Sequence, residues 1–136
     1  MLPQNAEVVR RFFDAALHRR DVEAAMELAH PDAEMDWTNS RAPYRGIYRG
    51  HAEAASLWRI WLEAWEEWRT DITEAIEMDH ETVVVVTHVR ARGRGSGITV
   101  EADGAGVWRI RDGKIAYAKL FQSEDEALAA VSPRAT

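Results

Sequence analysis

The chain has 136 residues, 46% hydrophobic and 29% charged, the size of one compact domain spanning 1–136 around a single core. Seventeen basic against 23 acidic residues leave a net charge of −6, which repels nucleic acid and anionic membrane, so neither is expected as a partner. The sequence has no cysteine for disulfides or thiolate chemistry, its start MLPQNAEVVRRFF is too charged for a signal peptide, and no 18-residue apolar run could cross a bilayer; a cytoplasmic location is expected.

Val8, Val9, Phe12, Phe13, Ala16 and Leu17 recur at three- and four-residue spacing, and Val22, Ala25, Met26 and Ala29 resume it after HRRD. This predicts a helical hairpin whose second helix is capped by Asp21. HPD at 30–32 ends it, AEMDW alternates as a short strand, and TNSRAPYRGIYRG reads as a long loop. His51 to Trp68 predicts a third helix, in which Trp58, Trp61, Trp65 and Trp68 fall within roughly 80° of one another at about 100° per residue. Four indoles on one face read as a core stripe packing this helix on a sheet. From Arg69 the period drops to two: TDITEAIEM, Thr82 to Arg92, ITVEADGAGVWRI and KIAYAKLFQ predict four strands in a meander. Tight turns are expected at Asp79 to Glu81 and Arg111 to Lys114. Gly93 to Gly97 is a glycine-rich connection with Arg94 in water, and EDEALAAV is a short terminal helix. Helices first and antiparallel strands after them make the class α+β.

The order of these elements, with PDAE, YRGIYRGHAEA, RGRGSG, SGITVEADGAGVWRIRDGKI and EDEALAA, resembles the SnoaL-like branch of the nuclear transport factor 2-like superfamily from about Glu7 to Val131. The resemblance implies a cone-shaped roll: a strongly bent, mainly antiparallel sheet wrapped by three N-terminal helices, with an apolar pocket inside and homodimerisation through the sheet's outer face. The family includes isomerases, polyketide cyclases, hydrolases and non-catalytic binding proteins, so fold alone does not choose among them. Carried over position by position, the oxyanion-donor tyrosine, the base aspartate and the protonated aspartate of ketosteroid isomerases fall on Phe13, Trp37 and Gly106. These supply neither base nor acidic donor, and that chemistry is not expected. The Arg-x-Asp pair and final aspartate of the epoxide hydrolases fall on His88, Arg90 and Leu120, which leaves no acid to protonate an epoxide.

His88 and Arg90 remain the catalytic candidates. The family comparison turns them into the cone, where His88 could move a proton and Arg90 hold an anionic oxygen. Alternation turns them out: Val83, Val85, Thr87, Val89 and Ala91 make one face of the strand, and Val84, Val86, His88, Arg90 and Arg92 the other. Both orientations stand at this point. The expected pocket lining is Phe13, Met26, Met35, Trp37, Tyr44, Trp58, Trp61, Trp108, Leu120 and Gln122. A cavity of roughly 300 Å³ or more is expected for a hydrophobic, cyclic ligand. The remaining histidines lack ligand spacing, so no metal and no cofactor are expected. Two functions follow: an isomerase, cyclase or hydrolase acting on a hydrophobic substrate, or a non-catalytic ligand-binding or dimerisation module.

Overall fold

The first helix, α1 (Gln4–Phe13), buries Ala6, Val9, Phe12 and Phe13 on the stripe its spacing predicts. It continues as a wider, π-type turn over Asp14–His18 that buries Ala15, Ala16 and Leu17. That turn delivers the His18 ring to the sheet: Thr70 N–H donates to Nε2 at 3.1 Å, so Nδ1 carries the proton and faces Asp14 Oδ1 at 3.0 Å. Helix α2 (Val22–Glu27) starts where Asp21 Oδ1 accepts from Ala24 N–H at 3.1 Å. The computed structural model describes residues 2–40 and 45–131 of the chain.

The elements that follow are β1 (Ala29–Asp36), β2 (Ile47–Arg49), α3 (Gly50–Ala64), β3 (Trp65–Glu77), β4 (Thr82–Gly93), β5 (Thr99–Arg111), β6 (Lys114–Phe121) and α4 (Glu124–Val131). The expected four-strand meander is present inside a larger sheet of order β2-β1-β6-β5-β4-β3. Here β1 lies parallel to β6, with Met35 beside Ala118 and Asp36 beside Lys119. Register shifts in the β1/β6, β3/β4 and β5/β6 pairs bend the strands, and the curled sheet stays open between its edges β2 and β3. The architecture is the expected α+β cone, with four helices rather than three wrapping it, since EDEALAAV packs as α4. At the β5–β6 hairpin, Asp112 and Gly113 both take positive φ, 54° and 76°, the requirement of a two-residue turn of the primed type.

One expectation is corrected. Helix α3 stops at Ala64, and Trp65 is extended (φ −119°, ψ 126°) and pairs with Gly93 at the start of β3, so the four-indole stripe is split between a helix and a strand. Helical spacing from 58 to 68 is overridden by strand pairing. Arg94 is exposed, as expected, and in addition donates from Nε to Glu63 O at 3.0 Å, while Arg20 Nη2 donates to Leu62 O at 2.8 Å. The two guanidiniums thereby satisfy carbonyls that the end of α3 leaves open.

The main core lies between the helices and the concave face of the sheet, and includes Phe12, Met35, Leu57, Val83, Val85 and Ile115. A smaller cluster, Val84, Ala105, Val107 and Phe121 with Ala127 of α4, sits on the convex face. Residues 83, 84 and 85 are all fully buried because α4 covers the outer side of β4 at that point.

Candidate functional site

Cross-strand register decides what the cone contains. On β4 and β5, Val83 lies opposite Trp108, Val85 opposite Gly106 and Thr87 opposite Gly104, and β6 adds Leu120 opposite Gly106. Paired residues share a face, so this set points into the cone. Phe13 reaches it from the end of α1 and Trp37 from just beyond β1. Together Phe13, Trp37, Val85, Thr87, Gly106, Trp108 and Leu120, with the backbone around Ala105 and Lys119, enclose a cavity of about 50 Å³. Thr87 and Leu120 are its partly exposed members and mark its solvent side.

That volume is well below the roughly 300 Å³ expected, and the reason is the aromatic content of the core. The Phe13 ring meets Trp108 edge-on at 5.3 Å, Trp108 meets Phe12 at 5.9 Å, Phe12 meets Trp58 at 5.4 Å, and Trp58 meets Trp37 at 5.4 Å. From Trp58 the contacts run on through Trp61 and Trp68 to Trp65. All six tryptophans of the chain join one array of edge-on and tilted ring contacts that fills the cone. A Cβ at Gly106 would come within 2.8 Å of Trp108 Nε1, so the missing side chain at 106 is what lets that indole lie against the sheet. The Nε1 atoms of Trp37, Trp58 and Trp65 are buried and have no hydrogen-bond partner.

Of the expected lining, Phe13, Trp37, Trp108 and Leu120 border the cavity. Met26, Met35, Trp58 and Trp61 are buried in the surrounding core without reaching it. Gln122 does not line it, its Nε2 donating to Asn39 O at 2.5 Å, while Tyr44 lies outside the described residues. Val85, Thr87 and Gly106 complete the wall; the alternation of Val83, Val85 and Thr87 carried the signal for the first two. Phe13, Trp37 and Gly106, the three positions aligned with isomerase machinery, come from separate elements and meet at this cavity.

His88 and Arg90 are on the other face. His88 lies opposite Asp103 and Arg90 opposite Glu101, all on the convex side of the sheet. His88 Nδ1 is 2.8 Å from Asp103 Oδ1 and Nε2 is 3.1 Å from Glu101 Oε1, and Arg90 Nε is 3.2 Å from the same Glu101 oxygen. Bonding to Asp103 and then to Glu101 holds the His88 pKa above its ordinary value. The inward orientation of this pair is therefore replaced by the outward one that alternation favoured. The acid/base role inside the cone goes with it.

The buried carboxylate nearest the site also faces outward. Burial pushes the Asp36 carboxyl up, but the hydroxyl and N–H of Thr38, at 2.6 and 3.0 Å, and Lys119 Nζ at 3.6 Å more than offset this and hold its pKa below the ordinary value. Among the described residues no cluster of histidine or carboxylate side chains could hold a metal ion.

The fold and this placement can be set beside known proteins. An NTF2-like protein of unknown function from Burkholderia pseudomallei is 24% identical with a TM-score of 0.76, over 97% of this chain and 100% of that one. TerC, co-crystallised with polyporic acid, is 22% identical with a TM-score of 0.75, over 93% and 99%. RV0760c from Mycobacterium tuberculosis, in complex with estradiol-17beta-hemisuccinate, is 12% identical with a TM-score of 0.76, over 91% and 97%. No curated protein matches the chain in sequence. The SnoaL-like domain family matches residues 9–118, most of the length, and the chain belongs to that family.

Proposed function

We propose that the protein is a binding protein for a small, largely apolar ring compound, received at the solvent side of the cone between Thr87 and Leu120. The observation that supports this is the convergence of Phe13, Trp37, Gly106 and Leu120 on one apolar cavity whose one ionisable lining residue among the described residues, Lys119, has its ammonium 3.6 Å from Asp36. Proton abstraction next to a carbonyl needs a positioned base, and the candidate for it, His88, lies on the far side of the sheet, as does Arg90, the candidate anchor for an anionic oxygen. The ligands of TerC and RV0760c favour a ring compound of this kind. A cavity of about 50 Å³ takes only the leading edge of such a molecule, so Leu120 and the Trp108 indole move when it is bound.

Titration with small ring compounds, followed by tryptophan fluorescence, tests the reading. Saturable binding that Gly106→Val abolishes while the protein stays folded is the expected result, and binding unaffected by Gly106→Val removes it. The alternative, an isomerase, cyclase or hydrolase, is distinguished by multiple turnovers of a bound compound. Self-association through the convex face is proposed alongside: its opposed charges, His88 with Asp103 and Arg90 with Glu101, suit contact with a second copy. Sedimentation giving a monomer at all concentrations counts against it.

A further inference from the structure

The convex face carries a second concavity, on the far side of α4 from the charges around His88. Arg109 lies opposite Tyr117 and Val107 opposite Lys119 on the paired strands β5 and β6. With Phe121 and Val131 at the end of α4 they line a groove of about 190 Å³. Along β5, Ala105 and Val107, which pack with Ala127 of α4, separate this groove from Glu101 and Asp103.

The charges bordering the groove do not cancel. Glu34 is 3.0 Å from Arg49 Nε, and Asp36 is 3.6 Å from Lys119 Nζ. Arg109 is left over: among the described residues no carboxylate pairs with it and no acceptor takes its N–H groups. Three cations, Arg49, Lys119 and Arg109, against two carboxylates, Glu34 and Asp36, leave one positive charge in a chain whose net charge is −6. The Arg109 guanidinium carbon sits 5.1 Å from the centre of the Tyr117 ring. Stacking occupies the face of a guanidinium and leaves the donors at its edge open, in the planar fork that matches a carboxylate. The Tyr117 hydroxyl has no partner among the described residues either. Burial first, and then the Asp36 carboxylate, raise its pKa against the pull of Arg109, so it stays a phenol that can donate.

These features narrow the class of ligand. One surplus charge matches a monoanion, whereas a dianion would meet Asp36 and Glu34 with too little to offset them. The volume is below the roughly 300 Å³ of sites for drug-sized molecules, which leaves room for one ring. We propose that the groove is a second binding site, for a small monocarboxylate with a single apolar ring, its carboxylate held by Arg109 and the Tyr117 hydroxyl and its ring against Val107, Phe121 and Val131. This site is independent of the cone and of the ligand received there.

The test titrates benzoate, benzyl alcohol and acetate into the full chain with labelled methyl groups, followed by NMR. Saturable benzoate binding that moves the Val131 methyls and the Tyr117 ring resonances, and leaves the Thr87 and Leu120 methyls of the cone in place, is expected. Benzyl alcohol, which keeps the ring without the charge, and acetate, which keeps the charge without the ring, bind about 10-fold or more weakly. Arg109→Gln weakens benzoate by about 10-fold, the lower end for a hydrogen bond to a charged group because this guanidinium is exposed. Arg109→Lys keeps the charge, loses the fork and falls between the two. Arg59→Gln, at an exposed arginine of α3, leaves benzoate affinity unchanged. Equal affinity for benzoate and benzyl alcohol, or benzoate affinity that survives Arg109→Gln, overturns the inference. So does the absence of saturable benzoate binding, or shifts centred on Thr87 and Leu120. The cone and the groove report through different methyls, so either site can fail without the other.

Discussion

The two faces of β4 carry opposite chemistry within one strand. Inward, Val83, Val85 and Thr87 meet Trp108, Gly106 and Gly104, and their environment is aromatic rings and absent side chains. Outward, two residues of the same strand, His88 and Arg90, meet Asp103 and Glu101 in water. The inner face is dense and short of acceptors, whereas the outer face is solvated and has charges of both signs. Shape and burial therefore decide what the inner face does, and pH and salt decide what the outer face does.

This contrast is easiest to break from within. Trp58 touches Phe12, Trp37 and Trp61, and Trp58→Ala is expected to lower stability by about 3–5 kcal/mol, read from urea unfolding. Gly106→Ala places a methyl group 2.8 Å from Trp108 Nε1; the overpacking is expected to cost about 1–3 kcal/mol and to change the near-ultraviolet circular dichroism of the indoles. Unaltered spectra and stability in that variant would show that Trp108 has room the structure does not give it. Asp36→Asn leaves Lys119 without its carboxylate and is expected to cost about 1–3 kcal/mol at neutral pH. The Asp36 pKa is lowered on folding, so its contribution is full above the ordinary carboxylate pKa and is lost as pH falls through the lowered value. The penalty of Asp36→Asn should shrink in acid. Arg94→Ala opens the end of α3 at a cost of about 0.3–1 kcal/mol. The smallest effect belongs to the outer face. The His88 pKa is raised, so its contribution is present below the ordinary histidine pKa and disappears as pH rises through the raised value. Asp71, Arg69, Arg90, Glu101 and Asp103 all surround it. Asp103→Asn should bring the His88 titration, followed by proton NMR, back towards the ordinary value, with little change in inner-face ligand affinity; a large affinity change would erase the separation of the faces.

The sequence made the inner face partly legible. Period-two alternation in VVVVTHVR gave the orientation of β4, and the family resemblance placed Phe13, Trp37 and Gly106 together although nothing local connects them. Trp65 and Trp68 misled because three-residue spacing in a run of indoles satisfies a helix, while the competing claim on them, pairing with Gly93 and Ala91, comes from far along the chain. The same holds for the filled cavity. Counting tryptophans shows how much aromatic area must be buried, but whether it lines a space or occupies it depends on ring orientation. The role of Arg94 was hidden for a similar reason, since its acceptor is the end of a helix whose stop had been placed four residues too late.

One pairing has a consequence for the order of assembly. Strand β1 is laid down early in the chain, yet one of its partners, β6, comes last, with Met35 waiting for Ala118. Until β6 exists, β1 has only the three-residue β2 beside it in the sheet, and Trp37, one residue beyond its end, is held only by its N–H to Gly46 O and by the Trp58 ring. Non-local closure of this kind slows folding, because the entropy of the intervening loop is lost before the contact forms. The cavity wall is thus incomplete until β6 brings Leu120 to it. A chain truncated after β5 lacks α4 as well as β6; it should retain α1 to α3 and the β3 to β5 meander while leaving the Trp37 indole more open to water.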